Sequence, residues 1–162
     1  MSATFFAQSP IVGWGCSCSC GDEWSSDVFP SYLEAHHAAF EACTVNPICG
    51  DPMCLAMPLA VVARTAHPEA PSLNVSNANA RVLLAQLGLA TTDLCGTLTG
   101  EDFLGRVLLA TALATTDAGR PQETTGGFTD CGRRAGYLDA RINQLRDIAD
   151  FAVANALPVV WS

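Results

Sequence analysis

The chain has 162 residues, of which 49% are hydrophobic and 15% are charged, and its formal net charge is −8. This length suits one domain, or one domain with a small appendage. The eight basic residues are all arginine, and none of them falls within residues 1–63, which contain six acids. Since nucleic acids and anionic membranes would be repelled by such a surface, the composition argues against both as partners.

The N-terminus predicts a cytoplasmic protein. Residues 1–6 lack the basic and apolar regions of a signal peptide. The longest apolar run, residues 55–63, is shorter than the ~20 residues that a bilayer span needs. In a reducing cytoplasm cysteines stay as thiols, which favours metal binding over disulfides.

The first half of the chain predicts one strand and one helix. Residues 11–21 place Val12, Trp14, Cys16, Cys18 and Cys20 at every second position, an alternation that is typical of extended backbone. Ser31 precedes Glu34 by three residues, a capping box that predicts a helix over residues 32–43. Residues 55–66 are compatible with either strand or helix, and periodicity does not decide between them.

The second half predicts three helices and two strands. Serine, threonine and acidic residues mark the helix starts, and apolar residues at helical spacing mark their buried faces. The predicted elements are strand 73–75, a helix from Ser76 to Leu87, a helix from Thr99 to about Ala114, a long polar loop over 115–134, a helix over 136–155, and strand 158–161 beside strand 73–75.

These elements predict an α+β protein with two parts. Residues 1–66 form an acidic, cysteine-rich module. Residues 67–71 form a linker because they contain two prolines. Residues 72–162 form a mainly helical domain with a small sheet.

The cysteines predict a structural zinc site that staples the first module, because six of the eight lie within residues 1–54. Buried free thiols and disulfides are the alternatives. Cys95 and Cys131 are expected to be buried apolar fillers. The proposed ligands are Cys18, Cys20, Cys49 and Cys54, and Cys16, Cys43, His36 or His37 is a possible replacement for one of them.

Polar residues at helix N-termini predict a second site, for a small anion. Backbone N–H groups at a helix start and guanidinium groups both bind carboxylate or phosphate. The alternative is that the asparagines only cap helices, and that Arg133 and Arg134 are solvated or paired with Asp130 or Asp139. The candidate ligand-binding residues are Asn77, Asn79, Arg120, Arg133 and Arg134.

No nucleotide-binding or hydrolase motif supports an enzyme: the P-loop, the dinucleotide-binding glycine pattern and Gly-x-Ser-x-Gly are all absent. Three segments, 73–80, 101–109 and 132–138, resemble small uncharacterised proteins of actinobacteria and their phages. That resemblance implies a source, and with it a location in the host cytoplasm or the virion if a phage encodes the protein. It assigns no residue a role.

We therefore expect a non-enzymatic accessory or structural interaction protein, stabilised by zinc and part of an assembly, whose partner is another protein or a second copy of itself. The alternative is a binder of a small anionic ligand such as a nucleotide, or an enzyme acting on one, that uses the loop 115–134.

Overall fold

The computed structural model describes residues 2–17, 27–45 and 60–162, and it leaves out the side chains of residues 43–45 and 128–130. The chain divides into two compact units, one formed by Met1–Gln8 with Glu69–Ser162 and the other by Ser9–Pro68. The α+β class is confirmed: the described residues form four helices and small antiparallel sheets. None of these helices is long and apolar enough to cross a membrane.

The helices and strands of the described residues, in chain order, are β1 (Ser2–Ala7), β2 (Ile11–Ser17), α1 (Tyr32–Val45), β3 (Ala60–Thr65), β4 (Ser72–Ser76), α2 (Asn77–Gln86), β5 (Gly96–Thr99), α3 (Gly100–Leu113), β6 (Glu123–Thr125), β7 (Phe128–Asp130), α4 (Tyr137–Ala154) and β8 (Pro158–Trp161).

A four-stranded antiparallel sheet with the order β4-β1-β8-β5 organises the larger unit. The division differs from the predicted 1–66 module because β1 pairs with β4 and β8, which places the first residues in the larger unit. For the same reason β8 does not lie beside β4 as predicted: β1 separates them. Alternate residues of β1, Ala3, Phe5 and Ala7, are buried, which is the pattern of a strand with one face on a core.

Three helices cover this sheet, and their apolar residues form one core with its buried face. The Trp161 ring stacks on Phe5 at 6.3 Å between centroids and lies 6.4 Å from the Phe103 ring. Aromatic residues of this size bury large areas, so the last strand is anchored to the first. The largest fully buried side chains of this core are Phe5, Leu83, Leu84, Phe103, Val107, Leu145, Ile148 and Val159.

Helices α2 and α3 begin where the sequence indicates, because a side-chain oxygen caps the start of each. The backbone N–H of Asn79 donates to the Ser76 hydroxyl over 3.4 Å, and that of Asp102 donates to the Thr99 hydroxyl over 3.1 Å. Each bond satisfies one of the N–H groups that a helix start leaves without a partner.

The smaller unit contains β2 and β3, paired antiparallel, and α1. The segment whose structure the sequence left open is therefore a strand over Ala60–Thr65. Cys16 is fully buried in the small core of this unit, and its thiol donates to the Ala35 carbonyl over 3.2 Å.

The core of the larger unit predicts a sharp contrast between two leucine truncations. Leu145→Ala should lower the free energy of unfolding by about 2–5 kcal/mol, because Leu145 is 0% exposed and its loss leaves a cavity. Leu109→Ala, matched in chemistry but 59% exposed, should change it by no more than about 0.5 kcal/mol. Urea denaturation followed by circular dichroism measures both. Equal losses would contradict this core.

Candidate anion-binding site

The N-terminus of α2 and the loop 115–134 enclose a cavity of about 240 Å³. Three of the five residues predicted to bind an anion line it: Asn79, Arg120 and Arg133. They come from segments far apart in the sequence, so the fold brings them together. The full lining is Ser76, Ala78, Asn79, Val82, Arg120, Cys131, Gly132 and Arg133.

The two arginines are neighbours because their backbones pair. Each backbone N–H donates to the carbonyl of the other residue over 2.7 Å. Gly119 and Gly132 lie beside this pair, with φ of +75° and +68°. A Cβ atom at Gly119 would lie 2.5 Å from the Arg133 carbonyl oxygen, and one at Gly132 would collide with that of Arg120. Both positions therefore need glycine for this close approach.

Asp117 ties this paired segment to the start of α4. Its carboxylate accepts hydrogen bonds from the backbone N–H of Gly119 over 3.0 Å and from that of Leu138 over 2.9 Å. The same carboxylate forms an ion pair with the Arg133 guanidinium at 3.5 Å. Gly136, which precedes α4, has no side chain to cap the helix. Asp117 therefore acts as a remote cap for α4 while it holds Arg133.

These contacts lower the pKa of the Asp117 carboxyl below its ordinary value of 3.8. The largest cause is the hydrogen bond from the Leu138 N–H, with further contributions from the Gly119 N–H and the Arg133 charge. Burial acts in the opposite direction and offsets part of this effect, because the side chain is only 6% exposed. The carboxylate form is the one that the fold stabilises.

The α2 wall of the cavity is fixed by a chain of polar contacts. The Asn79 side-chain amide donates to the Tyr137 hydroxyl over 3.3 Å, which links α2 to the first residue of α4. The Arg141 guanidinium lies 4.7 Å from the centroid of the Tyr137 ring. Asn79 is therefore held from two sides, since its backbone N–H also bonds to Ser76.

Two of the predicted ligand-binding residues do not line the cavity. Arg134 is exposed, and Asn77 is half-buried with a side-chain oxygen that lacks a hydrogen-bond partner among the described residues. The sequence interpretation overlooked Asp117, although an aspartate two residues before a glycine is typical of an Asx turn. It also expected Cys131 and Cys95 to be buried, whereas both are exposed.

The proposed zinc ligands Cys18, Cys20, Cys49 and Cys54 lie outside the described residues. Within the described ranges, no group of three or more His, Cys, Asp or Glu side chains is placed to hold a metal ion. Of the replacements, Cys16 is part of the core, the Cys43 side chain is not described, and the exposed His36 ring stacks on Tyr32. The zinc site therefore stays a prediction.

The lowered pKa of Asp117 predicts a pH-dependent contribution to stability. Because the folded pKa lies below the unfolded value of about 3.8, the contribution is complete above that pH and is lost as the pH falls through the folded pKa. Asp117→Asn should therefore have a lower free energy of unfolding than the parent protein at neutral pH, and this difference should narrow below about pH 4.

Urea denaturation at a series of pH values measures this difference in the free energy of unfolding. Asp147→Asn is the matched control, because Asp147 lies on the exposed face of α4. A difference that is constant with pH would show that the charge of the Asp117 carboxylate does not stabilise the loop 115–134.

Comparison with known proteins gives no match among family models, curated proteins or solved structures. The resemblance of three segments to actinobacterial and phage proteins therefore stays a prediction.

Proposed function

We propose that this protein binds a small oxyanion, a carboxylate or a phosphate group, in the cavity between the N-terminus of α2 and the loop 115–134. One observation supports the proposal above the others: Arg120, Arg133 and the first turn of α2 line the same cavity. Guanidinium groups and helix N-termini are the two protein features that most often bind such anions.

The charges around the cavity favour an anion of low charge. Asp117 lies 3.5 Å from the Arg133 guanidinium and offsets part of its charge, while Arg120 supplies a second positive charge. The protein as a whole carries −8, so most of its surface repels anions. Two guanidinium groups and one nearby carboxylate favour an anion over a cation at this cavity.

The size of the cavity limits the ligand. Pockets for drug-sized ligands are about 300–1,000 Å³, and this one is about 240 Å³. It suits a small carboxylic acid, inorganic phosphate, or the phosphate group of a larger molecule whose remainder extends into solvent. A whole nucleotide, the ligand that the sequence suggested as an example, exceeds this volume unless its base and sugar stay outside.

Arg120 and Arg134 provide a matched test, because only the first of them lines the cavity. Arg120→Gln should abolish the rise in melting temperature that inorganic phosphate or acetate produces, because a ligand that binds only the folded state stabilises it. Arg134→Gln, which removes an equal charge outside the cavity, should keep that rise. Differential scanning fluorimetry over a range of anion concentrations, with chloride as the ionic-strength control, measures both.

Equal loss of the rise in the two variants would show a general charge effect and contradict the site. The absence of any rise in melting temperature in the parent protein would also contradict it.

An absent rise in the parent protein would favour the second candidate, an interaction protein that pairs with another protein or with itself. The observation that favours this candidate is an apolar row on α3, where Leu108, Leu109 and Leu113 are 44%, 59% and 72% exposed. Sedimentation over a range of protein concentrations detects self-association directly.

A further inference from the structure

A second cavity in the larger unit has the opposite electrostatic character. It measures about 330 Å³ and lies where the end of α3, the last residue of α2 and the first two turns of α4 meet. Among its lining residues Asp139 is the single ionisable one, and no base is present. The cavity therefore presents a negative charge to whatever enters it.

The carboxylate of Asp139 is half-buried and has no ion pair or hydrogen bond within the part of the chain that the structure describes. The nearest bases along α4 have other contacts: Arg141 lies over the Tyr137 ring, and Arg146 pairs with Asp150 at 3.6 Å. A first-turn position favours an acid because of the helix dipole. Asp139 occupies such a position in α4.

The end of α3 adds to the negative potential. The carbonyl end of a helix carries a partial negative charge, and the last turn of α3 contains no basic residue to offset it. Ala110, Thr111 and Ala114, from this turn and its cap, line the cavity opposite Asp139 on α4. A bound cation would interact with both the carboxylate and the helix end.

The remaining walls are apolar and neutral polar. Ala110 and Ile142 are buried and supply an apolar surface, whereas Thr115, Thr116 and Asn143 supply hydroxyl and amide groups. We propose that this cavity binds a small aliphatic ammonium ion, with its charged group at Asp139 and its carbon chain against Ala110 and Ile142. The proposal does not depend on the anion-binding function.

Three ligands of similar shape, n-butylammonium, n-butanol and n-butyrate, separate the contribution of charge to binding from that of apolar contact. Each is titrated into ¹⁵N-labelled protein at neutral pH. n-Butylammonium should shift the amide signals of Thr115 and Asn143. n-Butanol should bind about five- to tenfold more weakly, since a partly exposed charge pair contributes roughly 1 kcal/mol. n-Butyrate should leave these amides unshifted, and the signals of Asn79 and Gly132 report its binding at the anion cavity.

Asp139→Asn should remove the preference for n-butylammonium over n-butanol, whereas Asp147→Asn, on the exposed face of the same helix, should keep it. The proposal is overturned if n-butanol binds the parent protein as tightly as the ammonium ion, if Asp139→Asn keeps the preference, or if the Thr115 and Asn143 amides do not shift. The comparison of ligands on the parent protein stands even where a variant fails to fold.

Discussion

The carboxylate of Asp117 is the constraint on which the anion cavity depends. It accepts hydrogen bonds from the Leu138 N–H at the start of α4 and from the Gly119 N–H beside the Arg120–Arg133 pair. The Asp117 carbonyl adds a further bond, from the Gly136 N–H over 2.9 Å. Asp117 thus satisfies N–H donors at the start of α4 that Gly136 cannot cap. It also fixes to that helix the loop that contains Arg120 and Arg133.

Magnitudes indicate which of its contacts matter most. A hydrogen bond to a charged group contributes roughly 1.5–3 kcal/mol, whereas a partly exposed ion pair contributes about 0–1 kcal/mol. The Arg133 side chain is 19% exposed and its pair with Asp117 spans 3.5 Å, so the two backbone bonds are the stronger contacts. Asp117 therefore acts mainly as a helix cap, and its pairing with Arg133 orients a guanidinium whose Nε has no hydrogen-bond partner among the described residues. Such a site is pre-organised, which lowers the entropy that binding costs.

Local features of the fold could be predicted from the sequence, while long-range pairings could not. Capping residues such as Ser76 and Thr99 and the periodicity of α4 act over one or two helical turns, so a single sequence displays them. The position of β1 depends on its pairing with β8, at the other end of the chain, and no local pattern reports that. The predicted neighbour of β8 was wrong for this reason.

The same distinction applies to the candidate site. The residue types of Asn79, Arg120 and Arg133 indicated anion binding, and the fold brings them to one cavity. Arg134 was grouped with Arg133 because they are adjacent, but Arg133 pairs with Arg120, whereas Arg134 is exposed and begins the turn into α4, where its carbonyl accepts from the Tyr137 N–H. The most direct test is a crystal structure of the protein soaked with selenate, a phosphate-like anion that anomalous scattering identifies. The account predicts an anomalous peak between the Arg120 and Arg133 guanidinium groups and the first turn of α2, and selenate bound only elsewhere on the protein would contradict it.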